Sequence, residues 1–203
     1  MPGAPLLNPL PLALGAIADY LGPMPVELVT EDERWGPLDL AALAPRVCAE
    51  TLAHLGHDPA LVEISLLACD DARIRTLNAQ FRAKDKPTNV LSWPTWDLSP
   101  DTPGGAPEAP ETGTPDDPEM LGDIALAFET CTREAREQGK SAADHATHLI
   151  VHSTLHLLGY DHETEEDAAL MEKTEVEILA KLGIRDPYAT DDSGLPQGVA
   201  GVD

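Results

Sequence analysis

The chain has 203 residues and a mass of 21.7 kDa, about one domain's worth of sequence with enough length to bury a hydrophobic core. Thirteen Lys and Arg stand against 36 Asp and Glu, a formal net charge of −23, which excludes a basic surface spread over the whole molecule. Three cysteines, Cys48, Cys69 and Cys131, lie far apart without CxxC spacing, so neither a disulfide framework nor a thiolate metal knuckle is expected and a reducing, cytoplasmic setting fits.

Residues 1–24 are apolar but interrupted by prolines, and no Lys or Arg precedes Arg34. They read as a loose N-terminal segment rather than a signal peptide or a membrane helix. VELVT (26–30) reads as a short strand, and the spacing of Leu40, Leu43, Val47, Leu52 and Leu55 predicts a helix over 38–55 that Gly56 stops. LVEISLLAC (61–69) is expected to be a buried strand, after which Asp70 or Asp71 caps a helix running to Arg82. NVLSWP (89–94) and GDIALAF (122–128) read as further strands, and helices are expected over 129–139, 142–158 and 165–182. This pattern is α/β in class, α+β in detail: a mixed sheet flanked by helices in one domain over 25–187. Between the last two strands, 97–120 holds six prolines, three glycines, seven acids and no Lys or Arg, a composition expected to stay disordered. The tail, 188–203, is expected to be disordered as well.

Charge is uneven along the chain. Five of the thirteen basic residues, Arg73, Arg75, Arg82, Lys84 and Lys86, fall between 73 and 86 against one acid, Asp85. The run is either a solvated helix face or the place where an anionic substrate is met.

The strongest signal is HLIVHSTLHLLGYDH (148–162). His152 and His156 are four apart on a predicted helix, which puts both imidazoles on one face a turn apart, as a single divalent ion requires. Gly159 is placed to end that helix and turn the chain, so that His162 returns to the same ion. Three imidazoles and an open fourth position form a catalytic type of zinc site, one ion per chain, at which water acquires a pKa near ~7. His148 is the rival third ligand, but i and i+8 lie about 12 Å apart along a straight helix, too far for one ion, so His162 is preferred. The position that holds the general-base Glu in HExxH metalloproteases is Ser153 here, which weakens a zincin-type protease reading. A phosphodiester needs charge on its nonbridging oxygens instead, and Arg82 at the end of the helix in the basic run can supply it.

Taken together, HSTLHLLGYDH, LNAQFRAKDKPTNVLSWP, LGDIALA and the downstream Met171 and Glu175 closely resemble the YbeY family of bacterial metal-dependent endoribonucleases, over about 64–187. The resemblance implies a mixed α/β fold related to zincins, a zinc held by His152, His156 and His162, and an important arginine at Arg82, with Arg82 and His152 as catalytic candidates. It further implies cleavage of single-stranded RNA, including ribosomal RNA precursor in 16S 3′-end maturation and ribosome quality control, in association with the small ribosomal subunit and its proteins and with no membrane. On this reading Arg73, Arg75, Lys84 and Lys86 are the substrate-binding candidates. A non-catalytic ribosome-assembly factor with a structural zinc is the alternative from another class. Ser153 stands where the family usually has Gly, and Trp93 where Phe is commoner, as a core residue or a base-stacking platform. Asp161 either orients a zinc histidine or caps the last helix. Thr88 and Asn89 either line the cleft or serve a turn.

Overall fold

The computed structural model describes residues 26–189; the expectations for 1–24 and for nearly all of the C-terminal tail lie outside the described residues. Four strands, β1 (Val26–Thr30), β2 (Val62–Cys69), β3 (Val90–Pro94) and β4 (Glu119–Ala127), form one sheet in the order β1-β2-β4-β3. β1 and β4 both run parallel to β2, and β3 is an antiparallel edge strand on β4. The helices are α1 (Leu40–His54), α2 (Asp71–Arg82), α3 (Phe128–Glu137), α4 (Ala142–Leu157) and α5 (Glu165–Lys181). The expected mixed α/β class and the expected strands and helices are all present, with small shifts at their ends.

β2 shows why the sheet is covered on both faces. Its Val62, Ile64, Leu66 and Ala68 point into the main core with α1, α4 and α5, whereas Leu67 and Cys69 point into a smaller cluster with Ile74 and Leu77 of α2. A strand buried on both sides needs a continuous apolar run rather than alternation. α4 is buried on nearly every side, with Leu149, Ile150, Val151 and Leu155 at 0% exposure. Truncating Leu149, Ile150 or Leu155 to Ala would cost about 2–5 kcal/mol in transfer and cavity terms.

Three of the five α-helix starts among the described residues are set by short polar side chains. Asp70, Ser141 and Thr164 accept from the backbone N–H three residues on, at 2.7, 3.0 and 3.1 Å. Gly122 allows β4 to pass β3: its φ is +144°, and a Cβ there would lie 2.2 Å from the Trp93 carbonyl oxygen.

The acidic segment differs from its expectation. Glu119 and Met120 already belong to β4, and 97–118 forms a strap with defined contacts. Leu98 is buried, Gly104 N–H donates to Asp167 Oδ1 at 2.7 Å, and Gly113 N–H donates to the Leu61 carbonyl at 2.9 Å. Composition undervalued these anchors, because one buried leucine and a few backbone hydrogen bonds suffice to seat a proline-stiffened chain whose unfolded entropy is already reduced.

Candidate metal centre and its cleft

α4 carries His152 and His156 toward its C-terminal end, and the turn that follows brings the third imidazole. Gly159, at φ +84°, lets the chain reverse: Gly159 N–H donates to the His156 carbonyl at 3.1 Å and Tyr160 N–H to the Leu155 carbonyl at 3.1 Å. The reversal aims the Tyr160 carbonyl at His156, whose Nδ1–H donates to it at 2.9 Å. His162 then stacks near its partners, ring centroids 5.5 Å from His152 and 5.1 Å from His156. Asp161 accepts the His162 backbone N–H at 2.7 Å, and Thr164 rather than Asp161 caps α5.

His152 and His156 each have the Nδ1 edge occupied. His152 donates from Nδ1 to Glu175 Oε1 at 3.0 Å, so both rings direct Nε2 inward, and the two Nε2 atoms stand 3.0 Å apart. One ligand atom from each of His152, His156 and His162 falls within a 4.8 Å sphere of the others. Two nitrogens at ~2.0–2.1 Å on a tetrahedral ion would lie about 3.3 Å apart, so the arrangement fits one metal ion with room for non-protein ligands. Burial first, then the neighbouring His152 and His162, push the His156 pKa down to about 3, which keeps its ring neutral as a ligand must be. Among the described residues the group has three members. His148, the rival, is buried with its Nε2 3.5 Å from the same Glu175 Oε1 that meets His152, and does not join them.

Glu175 is fully buried, and Tyr188 donates its hydroxyl to Oε2. Burial alone would raise its carboxyl, but the His148 and His152 imidazoles outweigh burial and hold it below the ordinary carboxylate range. Periodicity could have found this role: Met171, Thr174, Glu175 and Ile178 share one buried face of α5, and a carboxylate at a core position requires a partner. Ser153, at 0% exposure, is enclosed by the core around α4.

The triplet opens into a cleft of about 730 Å³ also lined by Arg82, Lys84, Ser92, Trp96, Asp97, Tyr160 and Glu163. Arg82 reaches across the free edge of β3 and donates from Nη2 to the Ser92 carbonyl at 3.2 Å. Asn78 fixes the turn that follows α2: its carbonyl accepts Lys84 N–H at 3.2 Å and its Nδ2 donates to the Lys86 carbonyl at 2.9 Å, with Ala83 left-handed between them. The basic run does not stay together. Arg73 pairs with Glu31 at 3.2 Å and Arg75 with Asp85 at 2.7 Å, and neither lines the cleft with the histidines. Lys86 is also outside the cleft lining, where Lys84 and Arg82 remain.

Trp93 points away from the cleft into the cluster under α2 and meets Phe81 edge-on at 5.7 Å, the core role of its two readings. Thr88 and Asn89 are buried outside the cleft. Asn89 accepts Val90 N–H at 2.7 Å and donates to Glu134 at 2.9 Å, a turn role. Trp96 and Tyr160 in the cleft wall carry no periodic signal, since both lie in irregular segments.

These observations agree with comparisons to known proteins. The family model described as endoribonuclease YbeY matches residues 29–183. Proteins named endoribonuclease YbeY are 61% identical in Dinoroseobacter shibae, over 81% of this chain and 91% of that protein, and 59% identical in Ruegeria pomeroyi, over 83% of this chain and 100% of that protein. The solution structure of TM1509 from Thermotoga maritima aligns with 78% of this chain and 91% of that one at 20% identity and a TM-score of 0.47. With a matched span that includes all three cleft histidines and Arg82, the chain belongs to the YbeY family.

Proposed function

We propose that the cleft is the active site of a zinc-dependent endoribonuclease that hydrolyses single-stranded RNA. The observation that carries the reading is the convergence of three imidazoles, two of them with their Nδ1 edges tied, in the same cleft as Arg82. The relatives' name supplies the reaction class. A zinc ion bound by His152, His156 and His162 would add positive charge beside a phosphodiester oxygen and bring the pKa of water there to ~7.

The chain's own residues have distinct tasks. Glu175 and the Tyr160 carbonyl hold the imidazoles in the Nδ1–H tautomer. Arg82, anchored by one Nη2 bond to the edge strand, presents a guanidinium fork to the nonbridging phosphate oxygens, and Lys84 adds a second cation in the same lining. Arg73 and Arg75 are committed to Glu31 and Asp85 and take no part in this grip. Glu175 cannot act as the base of a protease mechanism: it is buried and meets His152 on the Nδ1 edge, away from the cleft.

The substrate this reading implies is ribosomal RNA precursor, with action in 16S 3′-end maturation and ribosome quality control on the small subunit, in the cytoplasm. Among the described residues no helix is long and apolar enough to cross a membrane. The test is cleavage of an unstructured RNA by purified protein with and without a chelator, with His156→Ala alongside. Loss of cleavage in both and return on adding zinc to the wild type are expected; cleavage that persists with chelator and in His156→Ala overturns the reading.

A further inference from the structure

We propose that Trp96 is a nucleobase-stacking wall of the cleft, taking one unpaired base while the adjoining phosphate faces Arg82 and the histidine triplet. The inference rests on reading the cleft as an RNA site and names the residue that would require the RNA to be single-stranded there.

Each of the other two tryptophans has a task in the fold. Trp35 is 1% exposed and donates from Nε1 to the Cys69 carbonyl at 3.0 Å, and Trp93 packs on Phe81 under α2. Trp96 is the tryptophan of the cleft lining; it is half-buried, and its Nε1, like that of Trp93, meets no hydrogen-bond acceptor. Among the described residues no ring partner engages it either. A large aromatic with an untied polar end, set in the wall of a cleft, is suited to a flat apolar ligand.

The backbone that carries the ring is also held in place. Thr95 N–H donates to the Leu121 carbonyl at 2.9 Å on one side of it. On the other side Leu98 is buried against Gly159, so closely that a Cβ on Gly159 would lie 2.6 Å from the Leu98 carbonyl oxygen. Two anchors within a span of four residues limit how far Trp96 can swing, so little order has to be gained when a base stacks on it.

Charge in the cleft sets the direction of the strand. Arg82 and Lys84 are the cations of the lining, and Asp97, beside Trp96, is joined by Asp161 and Glu163 as its acids. A phosphate is attracted to the first group and repelled by the second, so the backbone runs along Arg82 and Lys84 and the base turns toward Trp96. A base inside a duplex has no open face to offer, whereas stacking on an aromatic ring tolerates any base identity.

The test uses the purified full-length protein, mixed rapidly with either a short oligoadenylate or an abasic ribose-phosphate chain of equal length and charge, with tryptophan emission and affinity read before cleavage. Oligoadenylate should quench the emission and the abasic chain should not. Trp96→Phe should lose most of the quench while binding within about threefold of wild type, and Trp96→Ala should weaken oligoadenylate by about tenfold with no change for the abasic chain. Equal weakening of both ligands, or a quench that survives in Trp96→Phe, overturns the stacking role and leaves the RNA reading intact. Failure of the wild type to bind either chain overturns the RNA reading, and the stacking role with it.

Discussion

Nδ1 of His152 stands 3.0 Å from Oε1 of Glu175, a carboxylate with 0% exposure that also receives the Tyr188 hydroxyl on its other oxygen. The contact fixes which nitrogen of His152 is left for a metal, and the negative charge makes that nitrogen more basic. Glu175→Gln keeps the shape and an acceptor but removes the charge. Zinc affinity measured by competition with a chelator should fall by about 10- to 100-fold. Unchanged affinity would mean that the carboxylate only fills space between α4 and α5.

The histidines also tie stability to pH in the metal-free protein. His156 has an ordinary pKa of 6.5 when unfolded and about 3 when folded, because burial and the adjacent His152 and His162 disfavour its charged form. Below pH 6.5 the unfolded state therefore binds a proton that the folded state refuses. Stability falls as pH drops through the window from 6.5 toward 3, and is unaffected by this group above it. The unfolding midpoint of metal-free protein should drop between pH 7 and 5, and His156→Ala should drop less over the same range. Parallel slopes would place the proton uptake on other groups.

Much of this was legible in the chain. The His152, His156 and Gly159 spacing is local geometry, set by the rise of one helix and one reversal, so pattern alone could place the triplet. The continuous apolar run of β2 likewise announced a strand covered on both faces. The basic run misled because adjacency in sequence is not adjacency in space. Nine residues on a helix are about half a turn out of phase, which puts Arg73 opposite Arg82, while Arg75 shares the Arg82 stripe but lies two turns away and is bound to Asp85 at 2.7 Å. The strap over 97–118 and the wall residue Trp96 depend on Leu98 meeting Gly159, a contact between segments some sixty residues apart that no local rule contains.

Gly159 and Gly139 provide a matched pair for testing that contact. Both have left-handed backbones, φ +84° and +64°, but a Cβ at Gly139 meets nothing within 4 Å whereas one at Gly159 would lie 2.6 Å from the Leu98 carbonyl oxygen. Gly139→Ala should cost only the conformational term, about 1 kcal/mol by denaturant titration. Gly159→Ala should cost roughly 1–3 kcal/mol more, because backbone has to move, and should also weaken metal binding by displacing the Tyr160 carbonyl from His156. Equal costs would show that the strap yields freely, and unaltered metal affinity would separate the turn from the metal site.

Arg82 and Lys84 share the cleft lining, yet their chemistry predicts different losses. A guanidinium can hold two phosphate oxygens by parallel hydrogen bonds, and the Nη2 bond to the Ser92 carbonyl at 3.2 Å fixes where that fork stands. If the grip strengthens as charge builds on the phosphate oxygens in the transition state, Arg82→Lys should lower single-turnover cleavage by about 10-fold or more while changing RNA affinity little. Lys84→Ala should do the reverse, weakening binding and reducing the slope of log affinity against log salt by about 0.7, the expectation for one lost phosphate contact on a single strand. Arg75→Ala serves as the control, since its charge is already matched by Asp85 outside the cleft and neither quantity should move. Cleavage and binding of one unstructured RNA at two salt concentrations separate these outcomes. Losses in affinity alone for Arg82→Lys would reduce Arg82 to a second anchor, and a salt slope that shifts in Arg75→Ala would return the outer part of the basic run to the substrate path.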